Sequence, residues 1–176
     1  MKEVIRILLG MLQIRRGSVY AFFLKERNQY GLIQALNKGK IGGRNVRIFY
    51  DLVDDLDAKT IEDVIRSDRF YYIHNFYPAD LVATSSHLGR FVIPDFVTTP
   101  RYMREAERQP DGRLFWYVME DLRLVKTYEG FDETLKPLSP AVTWGIHSIK
   151  ICWLDGFTLD NWHELMEKWY QDSLYK

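Results

Sequence analysis

Four histidines and one cysteine are the side chains in this 176-residue chain whose types best suit nucleophilic or metal chemistry: His74, His87, His147, His163 and Cys152. They fall in different segments. No G-x-S-x-G elbow, G-x-x-x-x-G-K phosphate loop, H-E-x-x-H pair or C-x-x-C pair accompanies them. An enzyme would therefore need His74, His87, His147 or Cys152 to meet in a concave pocket through folding alone. Cys152 lies in the apolar run IKICWL, where burial as a small hydrophobe is the expected role. A lone cysteine excludes an internal disulfide and suits the reducing cytosol, so a soluble cytoplasmic protein is expected. The N-terminal run MKEVIRILLGMLQIRRG is too short to span a bilayer and lacks the features of a signal peptide.

Charge carries more information than catalytic types do. The chain holds 24 basic and 24 acidic residues, so no global field favours nucleic acid or an anionic membrane. The balance is local instead. Residues 1–50 hold ten Lys or Arg against two acids (+8), residues 51–63 six acids against Lys59 (−5), and the remainder 13 against 16 (−3).

The acidic run DLVDDLDAKTIED contains Asp51, Asp54, Asp55, Asp57, Glu62 and Asp63. Calcium is the obvious ligand for so many carboxylates, yet the alternating ligands, mid-loop glycine and closing bidentate glutamate of a calcium loop are missing. Two readings stay open. One is a solvated loop leading into a helix whose positive N-terminal end favours acids. The other is an anionic contact surface, formed by Asp54, Asp55, Asp57, Glu62 and Asp63, that docks onto a cationic partner.

Basic residues cluster in the opening stretch RRGSVYAFFLKERNQYGLIQALNKGK and just beyond it. Arg15, Arg16, Lys25, Arg27, Lys38, Lys40, Arg44 and Arg47, with Tyr20, Phe22, Phe23 and Tyr30, have the composition of a nucleic-acid-binding sheet. Alternation divides the aromatics, however, with Tyr20 and Phe22 on one face and Phe23 on the other. Most of the charges fall in connections, where edge protection explains them. A barrel-like nucleic-acid-binding module is therefore the alternative reading rather than the leading one.

These groups must be positioned by a mixed α and β scaffold. The runs 18–24, 30–36 and 45–53 predict three strands in an antiparallel meander. A short helix follows, with Thr60 as cap, Asp63 reaching back, and Ile61, Val64 and Ile65 in an apolar stripe. RFYYIHNF predicts a fourth strand. Short apolar runs near 81–83 and 90–93 come next, then a Pro-bracketed excursion over 94–113 in which RYMREAERQ forms a turn or two of surface helix. RLFWYVM and DLRLVKTY predict two more strands, whereas IHSIKICWL has an ambiguous period. The end is an amphipathic helix from Thr158, with Trp162, Leu165, Met166, Trp169 and Tyr170 on one side. Composition, 47% hydrophobic and 15% aromatic, supports one well-buried core over residues 1–176. The expected fold is α+β: a strongly twisted, barrel-like antiparallel sheet with a short helix after the third strand and an amphipathic C-terminal helix.

The ordered segments IRRGSVYAFFLKERNQYGLIQAL, RIFYDL, TIEDVIRSDRFYYIHNF, LGRFVIPDF and VTWGIHSIKICWLDGF carry a family resemblance. Over residues 13–157 the chain resembles the immunity protein 26 family of bacterial polymorphic-toxin systems, of the contact-dependent inhibition type. Gly17, Tyr30, Gly31, Asp51, Gly89, Arg90, Phe91, Pro94 and Trp144 stand at matching places. The N-terminal dozen residues, the longer Pro-bracketed stretch and the helix of residues 158–176 depart from that pattern. What the resemblance implies is a small α+β cytosolic protein that binds and neutralises a cognate toxin domain by occluding its active site, without catalysis, cofactor or metal. If the toxin is a nuclease with a cationic cleft, the acidic surface of residues 54–63 is its expected contact.

Overall fold

The computed structural model describes residues 14–38, 44–76, 78–121, 123–141 and 144–171. Strands β1 (Ser18–Leu24), β2 (Gln29–Lys38) and β3 (Arg44–Phe49) form the meander, followed by helix α1 (Ala58–Arg66), β4 (Phe70–Phe76), the short helix α2 (Pro78–Ala83) and β5 (Ser86–Arg90). These five strands make one antiparallel sheet in the order β4-β3-β2-β1-β5. A second antiparallel sheet, β6 (Tyr102–Arg108), β7 (Leu114–Glu120) and β8 (Arg123–Glu129), precedes helices α3 (Ile146–Asp155) and α4 (Trp162–Gln171). The fold is thus α+β, with the short helix after the third strand. The strands are shared between two sheets, and the five-stranded one stays open, with β4 and β5 as its edges.

The first sheet is covered on both faces, which explains the nearly unbroken apolar run of β1. Tyr20, Phe22, Leu24, Ile33, Ala35, Val46, Ile48, Tyr71 and Ile73 face a core shared with Trp116 of β7, with Ile149, Cys152 and Trp153 of α3, and with Trp162 and Trp169 of α4. On the opposite face, Val19, Ala21, Leu32 and Phe49 pack against Ile61 and Ile65 of α1. A sheet buried on one face would read as alternating apolar and polar residues, whereas burial on both faces removes the polar positions.

Helix α3 resolves the ambiguous period of IHSIKICWL. Its Trp153 lies flat against the first hairpin, with its indole N–H donating to the Phe49 carbonyl at 2.7 Å. Gly31 makes this approach possible, because a Cβ at that position would stand 2.5 Å from the Trp153 ring.

The stretch 102–108 is a strand rather than turns of surface helix. Glu, Ala and Arg favour a helix locally, but pairing with the aromatic strand β7 overrides that preference. Met103 and Arg104 are buried as a result. The guanidinium of Arg104 sits among aromatic rings, 4.6 Å from the Trp162 centroid and 5.1 Å from that of Trp116, and donates to the Leu159 carbonyl at 2.5 Å. Helix α4 is tied down further by Arg108 pairing with Glu167, and by Trp169 and Lys168 donating to Asp155 at 2.6 and 3.1 Å.

Gly31→Ala tests the central contact, since the added methyl must displace the Trp153 ring or the hairpin backbone. Overpacking of this kind costs about 1–3 kcal/mol. Urea unfolding should show that loss, together with a change in the Trp153 near-ultraviolet signal.

Candidate functional site

Beyond β3 the acidic segment is stitched back onto the sheet. Tyr30 N–H donates to the Val53 carbonyl at 2.8 Å, and Val53 N–H returns the bond to Tyr30 at 2.9 Å. Asp54 accepts from the Gln29 side-chain amide at 3.0 Å, and Asp51 pairs with Arg69 at 2.9 Å. The helix cap is Asp57, not Thr60: its carboxylate accepts from Lys59 N–H at 2.8 Å, Thr60 N–H at 3.1 Å and the Thr60 hydroxyl at 2.6 Å. Thr60 lies too far inside α1 to cap it. The Asp55 carboxylate accepts from Asp57 N–H at 3.1 Å. Hydrogen bonding with Asp55, then with the Thr60 hydroxyl and backbone, holds the Asp57 carboxyl well below the usual carboxylate range.

Asp54, Asp55, Asp57, Glu62 and Asp63 are all exposed. Because Ile61 and Ile65 turn toward the sheet, Glu62 and Asp63 ride the outer side of the helix, and Glu62 stands 3.7 Å from Arg66. The structure therefore gathers the five carboxylates onto one strap and the helix that follows it. Two aromatic residues stand beside them. Phe23 and Tyr30 are cross-strand partners with ring centroids 5.1 Å apart, at the end of the sheet face that α1 covers. The cover stops short of Phe23, which stays 45% exposed. Its sequence signal was the alternation that set Phe23 opposite Tyr20 and Phe22; what the sequence could not give was where α1 ends its cover.

The basic residues do not form one rim. Arg47 is fully buried on the face under α1, so it is withdrawn from the nucleic-acid set, and Tyr20 and Phe22 are buried in the core. Arg27 donates to the Leu154 carbonyl at 2.6 Å. Lys40 and the side chains of Lys38 and Arg44 lie outside the described residues. Arg47 links three parts of the face: its Nη2 donates to the Ile65 carbonyl near the end of α1 and its Nε to Gln34 Oε1, both at 2.8 Å. The amide nitrogen of Gln34 then donates to the Gly17 carbonyl at 3.3 Å and the Phe91 carbonyl at 3.2 Å. The Phe49 and Phe70 rings flank the guanidinium at 4.7 and 5.0 Å. Burial lowers its pKa to about 10, so it stays charged at neutral pH.

Gly17 and Phe91 form part of the wall of a shallow groove of about 440 Å³, lined also by Arg16, Arg90, Val92 and Ile93. Gly17 adopts φ +87°, and a Cβ there would stand 2.5 Å from the Phe91 carbonyl oxygen. Two further grooves flank the second sheet, one around Phe115 and Tyr117 and one around Phe131 and His163. His74, His87, His147 and Cys152 line none of these three. Cys152 is buried, and that burial pushes its thiol pKa upward, away from reactivity. Among the described residues, no three His, Cys, Asp or Glu side chains stand where they could hold a metal ion, and no helix is long and apolar enough to cross a membrane. No protein-family model, curated protein or solved structure matches this chain.

Two measurements follow from this geometry. The capping contribution of Asp57 is fully present above the ordinary aspartate pKa of about 4 and fades as the pH falls toward the lower folded value. Asp57→Ala should therefore be less stable than wild type at pH 7, with the gap closing in acid, while Asp57→Asn stays near wild type at pH 7 because Asn also caps. Arg47→Met would leave Gln34 Oε1 and the Ile65 carbonyl without donors. Denaturant unfolding should show a loss of about 2–4 kcal/mol.

Proposed function

We propose that this protein is an immunity protein that binds a cognate toxin domain and blocks its active site. The observation that supports this most is the acidic strap beside Phe23 and Tyr30, fastened by backbone pairing at Val53 and by the Asp57 cap. Protein interfaces of high affinity place aromatic anchors at the centre and charged groups at the rim. A strap fixed in advance loses little conformational entropy on binding. Carboxylates presented this way suit a cationic cleft of the kind a nuclease uses to hold phosphates, and they would speed association through long-range attraction. The resemblance over residues 13–157 points in the same direction. On this reading the protein is a binder rather than an enzyme, it acts in the cytoplasm, and it needs no cofactor.

The test is to express the open reading frame adjacent to this gene, alone and together with this protein. Growth arrest that co-expression relieves is the expected result. Failure to relieve toxicity, or to bind the purified toxin domain, sinks the proposal. Within the complex, Asp54, Asp55 and Glu62 changed together to Lys should weaken binding steeply at low salt, whereas Asp57 is spared because it holds the helix. Phe23→Ala should cost about 2 kcal/mol of binding, a roughly thirtyfold loss. Unchanged affinity in both variants would move the interface elsewhere and leave the immunity reading standing.

A further inference from the structure

The largest of the three grooves lies at the other end of β1 from the acidic strap. Ser18 of β1 pairs with Arg90, while Phe23 at the far end pairs with Tyr30, which in turn bridges to Val53. At about 3.3 Å per residue, Ser18 and Phe23 are roughly 17 Å apart. Arg16 and Arg90 are both exposed, and among the described residues neither meets a carboxylate. The Arg90 Nε donates to the Arg16 carbonyl at 3.4 Å, which holds the two residues side by side. Both cations line the one groove, so an anionic occupant would find two charges there to meet.

The groove is apolar in part, and its wall is hydrogen-bonded. Val92, 86% exposed, is the most exposed large apolar residue on the described surface. Phe91 N–H donates to the Gly17 carbonyl at 2.9 Å, Gly17 N–H donates to the Ala35 carbonyl at 2.8 Å, and the Gln34 amide donates to the Gly17 and Phe91 carbonyls from the buried side. Beside the groove runs β5, whose outer edge has no backbone partner among the described residues. We infer that this groove is a second docking surface, made for an extended acidic segment of a protein partner: carboxylates pair with Arg16 and Arg90, an aliphatic residue covers Val92, and the backbone runs along β5. Nucleic acid suits it less well. The exposed apolar residue of its lining is the aliphatic Val92, the Phe91 ring packs against the core under α1, and two cations offer few phosphate contacts.

The surface is opposite in sign to the strap and stands independently of what the strap binds. Its test uses an array of fluorescent octapeptides alternating Asp or Glu with Val or Leu, each matched by an Asn/Gln version, with oligothymidylate and inorganic phosphate as competitors. Acidic peptides should bind wild-type protein at low salt, at least tenfold more tightly than their amide versions. Arg16→Glu with Arg90→Glu should abolish that binding, and Val92→Asp should weaken it about tenfold, with thermal melts showing all variants folded. Asp54→Lys with Asp55→Lys should leave it unchanged, which separates the groove from the strap. Equal binding of acidic and amide peptides, tighter binding of oligothymidylate, displacement by millimolar phosphate alone, or no binding by any acidic peptide would each overturn the inference.

Discussion

A single buried guanidinium holds the α1-covered face of the first sheet together. Arg47 carries its charge into the interior with no carboxylate to meet it among the described residues, and the penalty is offset by the Ile65 and Gln34 oxygens and by the Phe49 and Phe70 rings. Its position at the end of α1 suits a cation, because the last carbonyls of a helix are its negative pole. The opposite pole of the same helix is capped by Asp57, beside the acidic strap. One helix thus has an anion at its start and a cation at its finish. Through Gln34 the cation also sets the backbone of the groove. Strap and groove are two ends of one electrostatic arrangement.

Arg104 repeats the device on the other side of the molecule. It too is buried with no direct ion pair among the described residues, surrounded by Trp116, Trp162 and Phe131 and donating to a carbonyl, with the Asp160 charge acting on it through space. An arginine accepts this setting better than a lysine would, because its planar, weakly hydrated cation stacks on rings. Each of the two arginines joins a sheet to the elements that cover it, Arg47 to α1 and Arg104 to the segment leading into α4.

Much of the scaffold was legible in the sequence. β-branched and aromatic runs gave β1 to β4 and β7, and the stripe Ile61, Val64, Ile65 gave α1. Three features were hidden, each for a physical reason. The strand 102–108 has a helix former's composition and owes its state to its neighbour β7. The cap moved from Thr60 to Asp57 because the helix begins one turn earlier than its apolar stripe. Arg47 looked like surface charge because no local pattern distinguishes a solvated arginine from one that long-range packing encloses. For the candidate site the acids were legible as a cluster and Phe23 as an odd face of a strand. Their proximity, and the pairing of Arg16 with Arg90, depend on contacts between distant segments that sequence spacing does not report.

The Ser18–Arg90 pairing joins residues 72 positions apart, whereas β1 to β3 are neighbours in sequence as well as in the sheet. Closing so long a loop costs entropy before the new contacts repay it, so local pairings form ahead of it. The meander can therefore assemble while β5 is still free, and the groove between Arg16 and Val92 arrives late in folding. On the ribosome the same order holds, since β1 emerges well before β5 is made. The basic pole of the molecule is a product of completed folding, and its presence reports that the chain has closed.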